Sequence, residues 1–247
     1  YKITGEEKYL NLSYYFIDER GRQPYYFEME AWERGEDPEK SPLKESLNKE
    51  YLAAGPYAYF QAHLPVCEQI TAEGHAVRVM YMCCAMTDLA AATGDKTLLE
   101  ACEVLWKNVT ERRMYITGGV GPLEGSERFT FDYDCPNESA YNETCAAIGL
   151  VFWAHRMLQL DGDGKYADIM EQTLYNGVIS GISLEGDRFF YANHLASHPG
   201  LYDNRIIRNP RMLPERQKWF ECSCCPPNIA RLTASLGEYI YSTSNEE

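Results

Sequence analysis

Apolar residues recur at helical spacing through most of the chain, and a short pattern punctuates them three times. Thr4, Gly5 and Glu6 precede Lys8, Tyr9 and Leu10; Thr93, Gly94 and Asp95 precede Leu98 and Leu99; Asp161, Gly162 and Asp163 precede Lys165 and Tyr166. Each copy reads as a helix-hairpin turn. Glycine ends one helix in the left-handed conformation, the acidic residue opens the next, and apolar residues follow at helical intervals. Residues 75–93 are apolar almost all round and residues 96–113 are amphipathic, which predicts an inner helix followed by an outer one. Residues 145–160 and 165–179 repeat that order. Repeated inner and outer pairs predict an all-α chain of the α/α-toroid class, whose inner helices surround a pocket.

The first turn lacks a helix before it, and a helix expected over residues 229–241 has no partner after it. The chain therefore reads as part of a larger toroid, with residues 1–247 forming one partial domain. Residues 114–142 and 186–226 are long irregular stretches rich in Gly, Pro, Asn, Asp and aromatics; loops of that length in a compact domain are usually functional, and short β-hairpins fit within them. Residues 33–47 read as an exposed linker without chemistry.

Composition narrows the partners. The formal net charge of −14, with no Lys/Arg stripe, excludes a nucleic-acid partner from the expectations. No run of some 18 apolar residues predicts a membrane span. Nine cysteines favour a reducing, cytoplasmic setting. Cys67, Cys83, Cys84 and Cys102 fall in helix-like apolar segments, where a free thiol behaves as a small hydrophobe.

The remaining cysteines carry the strongest chemical signal: Cys222, Cys224 and Cys225 in ECSCCPPN, together with Glu143 and Cys145 in NETC. Thiolate and carboxylate are both zinc ligands. Pro226 and Pro227 fit only the first turn of a helix, which puts the thiols at a positive helix terminus, where thiolates are stabilised. Glu143 and Cys145 are two apart, a spacing that would turn them away from each other on a regular helix. If both bind one ion, Glu143 must precede the helix or sit in an irregular first turn. On residues alone a disulfide and a closed structural zinc site stay open beside a catalytic one. Because three thiolates and a carboxylate fill a tetrahedral shell, a catalytic site would have to use a ligand as nucleophile.

Other candidates come from the loops. Glu127 stands near Phe129, Phe131 and Tyr133, an apolar setting suited to a general acid, with a plain surface carboxylate as the alternative. Tyr191 could present its hydroxyl to a ligand or cover the core, and His75, at the head of an apolar helix, could be a core histidine. His63, His194 and His198 offer alternative metal ligands.

The runs EGHAVRVMY, MYITGGVG, FDYDCPNESAYNETCAAIGLVFW, YADIMEQTLYNGVISGI, RFFYANHL and CSCCPPNIARL, in this order over nearly the whole chain, resemble glycoside hydrolase family 127, the β-L-arabinofuranosidases. The resemblance implies an α/α six-hairpin toroid followed by β-sandwich domains, of which this chain carries only part of the toroid. It implies zinc held by Glu143, Cys145, Cys224 and Cys225, with Cys224 as nucleophile, Glu127 as acid/base, and His75 and Tyr191 in contact with the sugar. The implied reaction is retaining hydrolysis of a carbohydrate substrate through a thioglycosyl intermediate. A homodimer of the full-length protein is a further expectation. Ser126, Cys135 and His194 depart from the residues usual in that family at those positions, which bears on substrate more than on mechanism. A sugar epimerase and a non-catalytic carbohydrate-binding toroid with structural zinc are the competing functions; the first would need paired histidines in the pocket.

Overall fold

The structure is a computed structural model, and it describes residues 1–40, 55, 57–123, 126–198, 200 and 209–241. Two compact units divide the chain, Tyr1–Val109 and Thr110–Glu247.

The first unit holds α1 (Glu7–Asp18), α2 (Tyr26–Glu33), α3 (Ala76–Thr93) and α4 (Lys96–Asn108). The expected hairpin joins α3 to α4. Gly94 takes φ +72° and its N–H donates to the Ala90 carbonyl, while the Asp95 carboxylate accepts from the Thr97 and Leu98 N–H groups. Ten of the eighteen residues of α3 are buried, whereas α4 buries one face through Leu98, Ala101, Cys102, Leu105 and Trp106, so the inner and outer characters match the patterning. The Asn108 carboxamide accepts from the buried Ala72 N–H at 2.9 Å, tying the loop before α3 to the end of α4. Cys83, Cys84 and Cys102 are buried as expected, but Cys67 is exposed, because its segment makes only a single 3₁₀ turn, Val66–Glu68, too short to present a buried face. Of the linker expected over residues 33–47, residues 41–47 lie outside the described residues.

The second unit holds α5 (Thr144–Asp161), α6 (Gly164–Thr173), α7 (Cys225–Ala234) and the single turn α8 (Gly237–Ile240). The turn between α5 and α6 repeats the first: Gly162 takes φ +71° and Asp163 accepts from the Lys165 N–H. Every residue from Thr144 to Ala154 is buried, and α5 packs against both α6 and α7. Beyond α6 the chain widens into a π-helical turn, Leu174–Val178, and closes with a 3₁₀ turn, Ile179–Gly181. The helix expected over residues 229–241 differs at both ends. It starts at Cys225 and stops at Ala234, where the Ser235 hydroxyl donates to the Arg231 carbonyl and competes with the backbone ladder; Gly237 then disfavours a long continuation. In place of β-hairpins the irregular stretches show only isolated bridges among the described residues, such as Glu143 with Ala192 and Phe189 with Gln217. No described helix is long and apolar enough to cross a membrane.

Gly118, in the loop before α5, takes φ +81°, and a Cβ there would lie 2.6 Å from the Cα of Thr173. Gly118→Ala is therefore expected to cost about 2–4 kcal/mol. A thermal melt should show a fall of several degrees; an unchanged midpoint would mean that the loop shifts freely.

Candidate metal centre

Glu143 caps α5 in extended conformation, at φ −60° and ψ +134°, and Asn142 before it has φ +44°. The helix begins only at Thr144, so the two-residue spacing no longer turns Glu143 and Cys145 apart. A second segment fixes this geometry from the side. The Thr144 N–H donates to the Tyr191 carbonyl at 2.9 Å, and the Thr144 hydroxyl to the Phe190 carbonyl at 2.7 Å. Residues 190–192 thus run along residues 143–144 and carry Tyr191 to the same place. Phe220 stacks edge-on against both Phe189 and Tyr191, which anchors the chain leading into α7.

At the start of α7, Cys224 is the cap and Cys225 the first helical residue, followed by the two prolines. Cys145 Sγ and Cys225 Sγ lie 3.7 Å apart, as do Cys224 Sγ and Cys225 Sγ, and Cys224 Sγ lies 3.5 Å from Glu143 Oε1. One ligand atom from each of the four residues falls within 4.8 Å of every other. A sulfur–sulfur bond needs about 2.05 Å, so this is not disulfide geometry. Cys145, Cys225 and Glu143 are buried, while Cys224 is half-buried. Cys222, grouped with them by sequence, is not one of the four; it meets the Tyr191 hydroxyl instead. His63, His194 and His198 do not join the four either.

The electrostatics are those of acidic groups crowded together in a buried place. Burial pushes Glu143 well above the usual carboxylate range, and the charges of Glu127 and Cys224 add to it. The Cys145 thiol is held down to about 5, because Cys224 and Cys225 donate hydrogen bonds to it; Cys225 is raised in turn by the same contacts. Tyr191 and Tyr141 are raised, chiefly by burial, and remain neutral hydroxyls.

Tyr191 covers the core, one of the two readings weighed for it. Its ring is buried and its hydroxyl lies 3.1 Å from Cys224 Sγ. Glu127 is not in the apolar setting expected. Phe131 and Tyr133 are largely exposed, and Glu127, at φ +58° in a tight turn, accepts from the Tyr141 hydroxyl at 3.1 Å and pairs with the Arg211 guanidinium. A hydroxyl and a cation hold this carboxylate, and the Glu127 N–H donates to the Leu123 carbonyl at 3.1 Å. Arg211 also lies over the Tyr191 ring, 4.8 Å from its centroid. Sequence reasoning missed Arg211 and Tyr141; the signal was a base and a hydroxyl inside the two long loops of a strongly acidic chain. His75 lies in the first unit, capping α3, with its N–H donating to the Tyr59 carbonyl and its ring edge-on to Tyr59.

The family model described as the β-L-arabinofuranosidase, GH127 catalytic domain, matches residues 1–238. The chain belongs to this family. A curated relative, the non-reducing end β-L-arabinofuranosidase of Bifidobacterium longum subsp. longum, is 42% identical over 242 residues, covering 98% of this chain and 35% of the relative. The crystal structure of a GH127 β-L-arabinofuranosidase from Geobacillus stearothermophilus T6 superposes with a TM-score of 0.88 at 54% identity, covering 99% of this chain and 36% of that one. Another solved GH127 β-arabinofuranosidase gives 0.78 at 40% identity, with coverages of 99% and 32%. This GH127 chain thus spans about a third of the length of the relatives it matches. The all-α, α/α-toroid class expected from the repeated hairpins is borne out by these likenesses.

Proposed function

We propose that residues 1–247 form part of a catalytic toroid domain and carry the centre of a retaining glycosidase. It would release terminal β-L-arabinofuranose or a related sugar, with zinc as its metal. The names of the relatives support the substrate class. The observation that carries the mechanism is the exposure pattern: of three convergent thiols, only Cys224 is open to an incoming molecule.

The residues fit a zinc ion. Tetrahedral zinc with ligands at ~2.3 Å sets sulfur–sulfur edges of ~3.8 Å, close to the 3.7 Å separations of the cluster. Glu143 Oε2 is buried without a hydrogen-bond partner, and two buried thiols, a half-buried one and a buried carboxylate brought together call for a cation. Glu143, Cys145, Cys224 and Cys225 would hold the metal, which when bound supplies the positive charge that keeps the Cys224 thiolate deprotonated at neutral pH.

The chain's own groups would do the rest. The Cys224 sulfur attacks the anomeric carbon as the carbon–oxygen bond to the leaving group breaks, and the carboxylic acid of Glu127 gives its proton to the departing oxygen. Water then attacks the same carbon, the Glu127 carboxylate takes its proton, and the sulfur leaves as thiolate. Tyr141 and Arg211 orient the Glu127 carboxylate, and the Tyr191 hydroxyl steadies the Cys224 sulfur. Tyr191 and His75 are proposed as sugar contacts, the latter on the resemblance alone.

Glu127→Gln in the full-length protein is expected to slow hydrolysis of a β-L-arabinofuranoside with a poor leaving group by about 10²–10⁴-fold. With a chromogenic substrate the first step needs no proton, so azide should accelerate turnover by intercepting the intermediate. Full activity of the variant without azide would remove Glu127 from the mechanism. A non-catalytic carbohydrate-binding toroid would show bound metal and no turnover in the wild type.

A further inference from the structure

The three thiols of the cluster are not equivalent, and the difference lies one helical turn into α7. Asn228 follows Cys225 by three residues, so both side chains share a helix face, and Asn228 is buried in hydrogen-bond contact with Cys145. Its Oδ1 accepts from Arg231 Nη2 at 2.6 Å. With the oxygen occupied, the amide N–H₂ is the part of the side chain left to face sulfur. Arg231 is itself seated over the Phe152 ring, its guanidinium carbon 4.6 Å from the centroid. Phe152 lies seven residues beyond Cys145 on α5, two helical turns along the same face. The line Phe152, Arg231, Asn228, Cys145 therefore braces α5 against α7 at the point where each contributes its sulfur.

We infer that Asn228 is a positioning residue: oriented by Arg231 on Phe152, it donates to Cys145 and fixes that sulfur as a permanent ligand, leaving Cys224 as the reactive one. This rests on the metal reading above. A thiolate that accepts an amide N–H is oriented by it and gives up part of its nucleophilic electron density. Cys224, half-buried, meets instead the Tyr191 hydroxyl and keeps one side open to an incoming sugar. The brace accounts for one buried polar group, Asn228, that the proposed chemistry does not otherwise use.

The test uses the full-length protein loaded with cobalt(II), whose sulfur-to-metal charge-transfer band reports thiolate donation, and chelator competition for zinc affinity. Asn228→Ala is expected to weaken zinc binding about 10-fold and to move the band. Asn228→Asp, of the same shape but unable to donate, should lose at least as much, and Arg231→Gln should shift both readouts less, in the same direction. Wild-type affinity and an unmoved band in Asn228→Ala and Asn228→Asp would overturn the inference. So would a lower melting temperature of the metal-free variants with the band unmoved, the mark of a purely structural role. A wild-type chain that takes up no metal would overturn the metal reading and this one with it.

Discussion

Cys224→Ser in the full-length protein is expected to cut hydrolysis of a chromogenic β-L-arabinofuranoside by on the order of 10⁴-fold or more, the scale seen when a covalent nucleophile is removed. Serine keeps the size of the side chain but replaces a polarisable thiolate by a hydroxyl that does not ionise at neutral pH. The loss should appear in kcat rather than KM, since the Tyr191 ring stays packed between Phe220 and Arg211. Zinc affinity should fall as well, because one of three sulfur ligands is gone, so the assay belongs in excess zinc. Undiminished turnover under those conditions would end the nucleophile assignment and leave the cluster a structural metal site.

Cys145→Ser is expected to have the larger effect on the metal and on stability. Cys145 is buried at the start of α5, and its sulfur faces Cys225 at the start of α7. Elemental analysis of the wild-type chain should find about one zinc, and the serine variant should lose affinity by more than about 100-fold. A metal that binds the folded state alone stabilises it by about 2.7 kcal/mol at a hundredfold excess over Kd, so a chelator should lower the melting temperature of the wild type and leave that of the variant nearly unmoved. Full zinc stoichiometry in Cys145→Ser would refute the ligand set.

Much of this was legible in the sequence, and the parts differ in why. The glycine–acid turns at Gly94–Asp95 and Gly162–Asp163 are local devices, settled by a left-handed glycine and a carboxylate cap, so the chain announces them. The placement of Glu143 outside the helix was expected on the condition that it shares an ion with Cys145, because side chains two residues apart cannot share a face of a regular helix. Pro226 and Pro227 marked the head of α7 within a few residues, but its early end at Ala234 depended on a Ser235 side-chain bond that the apolar pattern does not reveal.

What the sequence hid was tertiary. Glu127 has aromatic neighbours along the chain, yet its turn hands it to Tyr141 and to Arg211, 84 residues away. Cys222 belongs to the same short run as Cys224 and Cys225 but stands outside the four convergent groups, since only the last two enter the helix start. Asn228 and Arg231 read as ordinary helix residues until the fold sets Phe152 opposite them.

The most direct measurement is covalent trapping in the Glu127→Gln variant of the full-length protein, with a substrate whose leaving group departs without protonation. The intermediate should accumulate because its hydrolysis lacks a base, and peptide mass mapping should find one pentosyl residue on the peptide carrying Cys224. A sugar bound to Glu143 or another carboxylate, or steady turnover with no labelled peptide at any time, would contradict the zinc-held cysteine as nucleophile.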